Sequence, residues 1–195
     1  MGLHLVEVTP ADAAVEVSAL VERANAALRD SGAALVESAW AASLRRLYLI
    51  VETNGDATPA NVGGEALAQR LRAAELPVSN VAPVRLVGTP ASEAPRRPSH
   101  VVEWDLPADL GMERYLKRKA EKTPLYAQVP EVQFLRTYVR EDTVKCLCLY
   151  DAPDEDAVRR ARAAVSAPIS RLAEVRPIVG DGTSKDGGAP RSGGA

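Results

Sequence analysis

Two stretches of this chain recur in the same order. His4-Leu5-Val6-Glu7-Val8 returns 96 residues later as His100-Val101-Val102-Glu103-Trp104. Pro77-Val78-Ser79-Asn80-Val81-Ala82-Pro83-Val84-Arg85 returns 91 residues later as Pro168-Ile169-Ser170-Arg171-Leu172-Ala173-Glu174-Val175-Arg176. Both ends of a unit of about 85 residues are repeated, the mark of a tandem duplication. A lone unit of that size buries only about two thirds of its unfolded surface and is marginal by itself. The 195-residue chain is therefore expected to fold as two units that need each other. The expected boundaries are 1–88 for the first unit, 89–99 for a proline-rich linker, 100–180 for the second unit and 181–195 for a glycine-rich, disordered tail.

Each unit reads strand, helix, strand, strand, helix, strand. In the first, Leu3 to Val8 is a strand, and Val17, Leu20, Val21, Ala24 and Leu28 mark one face of a helix over Ala11 to Arg29. A hairpin follows over Ala34 to Ala41 and Leu44 to Glu52, then a loop from Thr53 to Gly64, a helix at Glu65 to Ala74 and a strand at Val81 to Val87. In the second, His100 to Asp105 is a strand, and the helix marked by Met112, Tyr115, Leu116 and Ala120 must stop before Pro124. Val132 to Arg140 and Thr143 to Tyr150 form a hairpin. Asp154 caps a helix with Ala157, Val158, Ala161, Ala164 and Val165 on its inner face, and Leu172 to Val179 is the last strand. This order is the ferredoxin-like βαββαβ pattern, which leaves one sheet face bare. Apolar residues on both alternations of one strand, Val144, Cys146, Cys148 and Tyr150 against Leu147 and Leu149, say that the bare face needs a cover. The expected fold is α+β: two tandem ferredoxin-like units packed sheet to sheet as an internal pseudo-dimer α/β barrel. Such a chain can be monomeric, with higher oligomers left open.

A hydrophobic content of 46%, 26% charged residues and a net charge of −2 give no electrostatic reason to expect nucleic acid or an acidic membrane as partner. No secretory pattern opens the chain and no apolar run nears the roughly 20 residues that span a bilayer, so the cytoplasm is the expected compartment. Cys146 and Cys148, neighbours on one strand face, are poorly placed for a disulfide and are expected as reduced thiols. No glycine-rich phosphate loop, paired catalytic carboxylates or Ser/His/Asp arrangement stands out. The catalytic residues, if any, are not named by the sequence.

Candidate sites come from side-chain chemistry. Cys146 and Cys148 offer two thiolates to a soft or borderline metal, or are small buried hydrophobes. His4 and His100 open equivalent strands and are candidate ligands or proton-transfer residues, with His100 also a metal candidate. Glu7 with Arg85 and Glu103 with Arg176 are expected as cross-strand ion pairs; turned into a cavity, the arginines would grip a carboxylate or phosphate. Trp40 and Tyr138 occupy comparable places on second strands and suit either a planar ligand or the core. Arg114, Lys117, Arg118, Lys119 and Lys122 are expected as a solvated basic helix face.

Val132-Gln133-Phe134-Leu135-Arg136-Thr137-Tyr138-Val139, then Cys148-Leu149-Tyr150-Asp151-Ala152-Pro153-Asp154-Glu155-Asp156-Ala157-Val158-Arg159, then Ile169 through Val175, resemble a family of small bacterial nickel-binding-like proteins. That family is similar to dimeric ferredoxin-like α/β barrels. The resemblance covers about Ser99 to Gly180, and the first unit looks like a diverged copy. It implies a cytoplasmic protein that holds a metal ion, nickel or another divalent one, or a small molecule in the cleft between its units. The alternatives are a small cofactor-independent oxygenase, cyclase or isomerase acting on an apolar or aromatic metabolite, and a structural module with no ligand. Two places where the family's pattern often carries histidine are Arg136 and Ala161 here, and neither replaces an imidazole at a nickel centre.

Overall fold

The computed structural model describes residues 2–12, 15–29, 31–53, 60–94 and 96–178. The expected tail at 181–195 and residues 54–59 of the first loop lie outside them. The order of elements is the expected one. The first half runs β1 (Gly2–Val8), α1 (Val17–Leu28), β2 (Ala33–Ala41), β3 (Arg46–Thr53), α2 (Ala60–Ala73) and β4 (Val78–Gly88). The second runs β5 (His100–Asp105), α3 (Met112–Lys122), β6 (Gln133–Arg140), β7 (Lys145–Asp151), α4 (Glu155–Ala164), β8 (Arg171–Glu174) and β9 (Arg176–Pro177). Pro124 ends α3 as expected, but the chain goes on in a tighter 3-10 helix over Thr123–Gln128. Asp154 caps α4, its Oδ1 accepting from the Ala157 amide at 2.7 Å.

The strands form one antiparallel sheet ordered β8-β5-β7-β6-β4-β1-β3-β2-β9. Each half contributes the same order, β4-β1-β3-β2 and β8-β5-β7-β6. The last strand of each half serves both. β4 pairs with β1 through Val84 and then with β6 from Val84 to Gly88. Likewise β8 pairs with β5, and one residue later β9 pairs with β2 at Trp40↔Arg176. The two halves thus share edges, so the sheet curls into a nearly closed barrel, with the second seam made by only two residue pairs, Ala39↔Pro177 and Trp40↔Arg176. Gly88 makes one seam: its φ is 114°, and a Cβ there would lie 2.8 Å from the Leu135 carbonyl and 2.9 Å from the Arg136 Cα.

The halves also match in details that the sequence hides. Both α2 and α4 end on a left-handed residue, Glu75 at φ 60° and Ser166 at φ 52°, followed by Leu76 and Ala167. The Leu76 amide reaches back to the Leu71 carbonyl at 3.1 Å and the Ala167 amide to the Arg162 carbonyl at 2.9 Å, the same Schellman closure twice.

Strand alternation divides the core into three. Val6, Val8, Trp40, Leu47, Leu49 and Val51 pack under α1 and α2. Val102, Trp104, Val139, Cys146, Cys148 and Tyr150 pack under α3 and α4. The barrel interior holds Leu5, Tyr48, Ile50, Tyr138, Leu147 and Leu149, contributed by both halves.

The expected pairing of Glu7 with Arg85 and of Glu103 with Arg176 does not occur. The register sets Glu7 opposite Asn80, because Leu3 meets Val84 and leaves Arg85 past the end of β1, where it pairs with Glu141 at 3.1 Å. Glu103 faces Arg171, and Arg176 has already crossed to β2. Both glutamates instead meet at one end of the barrel interior. Lys145 Nζ donates to Glu7 Oε1 at 2.5 Å, while Arg46, Tyr48 and Arg171 donate to Glu103 at 2.6, 2.7 and 2.7 Å. Burial raises the Glu103 carboxyl pKa, but the Tyr48 hydrogen bond and the Lys145 and Arg46 charges outweigh it and hold it below its ordinary value.

Candidate functional site

The polar side chains with unused chemistry collect on the helix side of the second half. β7 alternates so that Cys146 and Cys148 face α3 and α4 with Sγ atoms 3.8 Å apart, both free thiols and both buried. From α4, Arg162 Nη1 donates to Cys148 Sγ at 3.5 Å and to Tyr150 Oη at 3.2 Å, and Nη2 donates to the Pro168 carbonyl. From α3, Lys119 Nζ donates to Thr137 Oγ1 at 2.9 Å, and that hydroxyl donates to Cys148 Sγ at 3.2 Å. Tyr126 and Tyr150 share a hydrogen bond of 2.8 Å between hydroxyls. Trp104 lies under two guanidinium groups, those of Arg118 and Arg162, at 5.8 and 5.6 Å from its ring centre. A cavity of about 30 Å³ opens over this floor, lined by Trp104, Tyr115, Lys119, Tyr126 and Arg162, with Arg118 and Lys122 among its outer residues.

The two thiols differ although they are neighbours. The Cys146 thiol donates to Cys148, and Lys119, Arg162 and Thr137 add to it, so Cys148 is held well below the ordinary thiol value against the opposing effect of burial. Cys146 is pushed up by its bonded neighbour and by burial. Burial also lowers the Lys119 ammonium and raises Tyr126 to about 12. The arrangement stabilises one thiolate beside one neutral thiol.

The other candidates are scattered. His100 shares the cysteines' sheet face, opposite Tyr150, and its Nδ1 is 2.9 Å from Ser99 Oγ. Among the described residues no group of three or more His, Cys, Asp or Glu side chains is placed to hold a metal ion, so His100 does not join the cysteines in one. His4 is buried under α2 beside Gly63 and Gly64, its Nδ1 without a partner, and burial lowers its pKa. Trp40 is part of the first helix layer. Tyr138 is inside the barrel and donates to Glu37 Oε2 at 2.7 Å. Arg85 and Arg176 are exposed. Arg136 shares the barrel face with Tyr138 and grips Glu37, whereas Ala161 lies in the helix layer on the other side of the sheet. A larger open hollow of about 1,110 Å³ lies between α1, β2 and the linker, and none of the sequence candidates lines it.

Lys119 is not part of the solvated basic face on which it was expected; its ammonium turns inward. Arg162, Thr137, Tyr115 and Tyr126 belong to the site and carry no motif. The spacing held the signal: Lys119 follows Tyr115 by four residues, and Arg162 falls within the inner stripe 158, 161, 162, 165. A cation on an inward stripe needs a partner.

Residues 100–175 match the family described as nickel responsive protein SCO4226-like. That match lies within the second half of the chain and covers under half of its length. The matched segment contains the whole thiol site apart from its empty space. No curated protein matches the chain. Among solved structures, a protein provisionally named a monooxygenase from Lactobacillus acidophilus NCFM is similar at 12% identity and a TM-score of 0.50, over 91% of this chain and 94% of that one. Another so named, from Fusobacterium nucleatum, has 12% identity and a TM-score of 0.52 over 91% and 92%. A protein provisionally named chlorite dismutase has 10% identity and a TM-score of 0.52 over 91% and 96%. At 10–12% identity these likenesses concern the fold alone, and each extends over nine tenths of this chain. Among the described residues no helix is long and apolar enough to cross a membrane.

Proposed function

We propose that the chain is a binding protein that takes a divalent metal ion, nickel or another thiophilic one, at Cys146 and Cys148. The observation that carries this is the 3.8 Å between the two sulfurs. Two thiolates at about 2.3 Å from one tetrahedral ion stand about 3.8 Å apart, so the pair is already spaced as a chelate. Cys148 is prepared for this by its cationic neighbours, and Cys146 would lose its proton when the ion arrives. The family match on residues 100–175 supports a metal as the ligand. Two sulfurs fit such an ion but do not complete its shell, and no third His, Cys, Asp or Glu stands with them among the described residues.

Size argues against an organic ligand here. A cavity of about 30 Å³ has room for one or two water-sized groups, far less than the several hundred Å³ typical of a metabolite site. The barrel interior, where the enzyme alternative would place its substrate, is filled by Leu5, Tyr48, Ile50, Tyr138, Leu147 and Leu149. We further propose that the chain arose by duplication, acts in the cytoplasm and is monomeric because each half already has its partner at both seams.

Elemental analysis after exposure to nickel or zinc and desalting tests the reading. Near-stoichiometric metal in the native chain, lost in Cys146→Ser/Cys148→Ser, is the expected result. No retained metal, or equal retention by the variant, would refute the thiolate site.

A further inference from the structure

We infer that the second-half cavity binds a small monovalent inorganic anion, of halide or bicarbonate size, between Lys119, Arg162 and Tyr115 beside the sulfurs. This deepens the metal reading, since such an anion could fill the part of the ion's shell that the protein leaves open, but it does not require the metal.

Charge is the first ground. Four cations line the cavity, Arg118, Lys119, Lys122 and Arg162, and no Asp or Glu does. Their polar contacts run to the Ser166 carbonyl, Thr137 Oγ1, Tyr150 Oη, Cys148 Sγ and the Pro168 carbonyl, and none forms an ion pair with a carboxylate among the described residues. Even a thiolate at Cys148 balances only one of the two inner charges. The barrel interior shows how this protein treats buried cations elsewhere: Lys145 meets Glu7 and Arg136 meets Glu37. Unpaired buried charge is costly, so a cavity built this way calls for an anion that is not part of the chain.

An unused donor is the second ground. Arg162 Nε is buried with no hydrogen-bond partner, and Arg162 lines the cavity beside Tyr115, both residues at 2% exposure. The unmade bond carries a desolvation cost that an acceptor in the cavity would remove. Size is the third: about 30 Å³ suits a halide or a small oxyanion and excludes a nucleotide or a peptide side chain with its backbone. The exposed Arg118 and the partly exposed Lys122 provide an entrance of the matching sign.

The test uses iodide as probe on the metal-free full chain carrying Trp40→Phe, so that Trp104 is the one remaining tryptophan. Iodide is titrated at constant ionic strength in gluconate. Expected is saturable quenching of Trp104, displaced by chloride and bicarbonate, and weakened about ten-fold or more in Lys119→Met, the loss of one charge-assisted contact. Lys122→Gln, at the entrance, should weaken it less, and Cys146→Ser/Cys148→Ser should leave it in place. Linear quenching that never saturates, or identical curves for Lys119→Met with native near-ultraviolet circular dichroism, would overturn the proposal. Nickel retention measured on the same samples separates the two readings: iodide that saturates where nickel is not held sustains the anion site alone, and nickel held with linear iodide quenching removes the anion site alone.

Discussion

The two helix layers of this molecule are built on the same frame and used differently. Where the first half sets Leu47, Leu49 and Val51 along β3, the second sets Cys146, Cys148 and Tyr150 along β7. Where α1 and α2 present Leu20, Val21, Leu67 and Leu71 to the sheet, α3 and α4 present Tyr115, Lys119, Val158 and Arg162. The first layer is closed mainly by dispersion and apolar burial, with His4 the one buried imidazole beneath α2. The second gives up part of that for thiols, hydroxyls and cations that must satisfy one another. The repeated strand order shows how this is possible: the first half and the shared barrel are closed by apolar packing, so the second half can carry a polar interior. The family match falls on the half that carries it.

The largest effect expected on stability comes from the element that both halves share. Glu103→Ala leaves Arg46, Tyr48 and Arg171 without their acceptor and should cost about 3–5 kcal/mol in chemical denaturation. Next, Leu49→Ala in the first layer should cost about 2–5 kcal/mol yet leave metal retention and thiol reactivity unchanged. Cys148→Ser at the matching place should cost less, abolish metal retention and leave only the slower reaction of Cys146, and a Leu49→Ala chain that lost nickel would break the division of labour. Smaller is the pH effect. Because the Glu103 pKa is lowered in the fold, its stabilisation is present above the unfolded carboxyl value of about 4.3 and is lost as pH falls through the folded value. Acid titrations monitored by circular dichroism should show this loss in the native chain and not in Glu103→Gln. Alkylation by iodoacetamide sharpens the contrast between the thiols: Cys148 should react at pH values below the ordinary thiol range near about 8.5, with Cys146 lagging, and Lys119→Met should shift the Cys148 profile upward. Smallest is Arg85→Ala, whose exposed pair with Glu141 should be worth less than about 1 kcal/mol.

Repetition, strand alternation and helix caps made the architecture legible from the residues. His4 with His100 and the two proline-led strands marked equivalent ends, and Cys146 to Tyr150 showed a strand buried on both faces, although Val144, read with them, lies before β7 and is 56% exposed. Edge sharing was not legible, because nothing in the residues of β4 says that its second half changes partner; only Gly88, at a φ open to glycine, hints at a close crossing. The cysteines were found because sulfur is rare and their spacing of two places them on one face. Lys119 and Arg162 were missed because a basic residue on a surface helix usually faces water, and only helical phase distinguishes the two that turn inward. Glu7 and Glu103 were noticed, but their partners depended on register, which a shift of a few residues along β4 decides.

The central claim is that the chemistry of this chain resides in the second helix layer. A crystal of the full chain soaked in nickel and measured at the nickel absorption edge addresses it directly. The account predicts one strong anomalous peak between Cys146 Sγ and Cys148 Sγ and none in the barrel interior or beneath α1 and α2. A peak at His4, at Glu7 and Glu103, or nowhere in an otherwise intact molecule would contradict it.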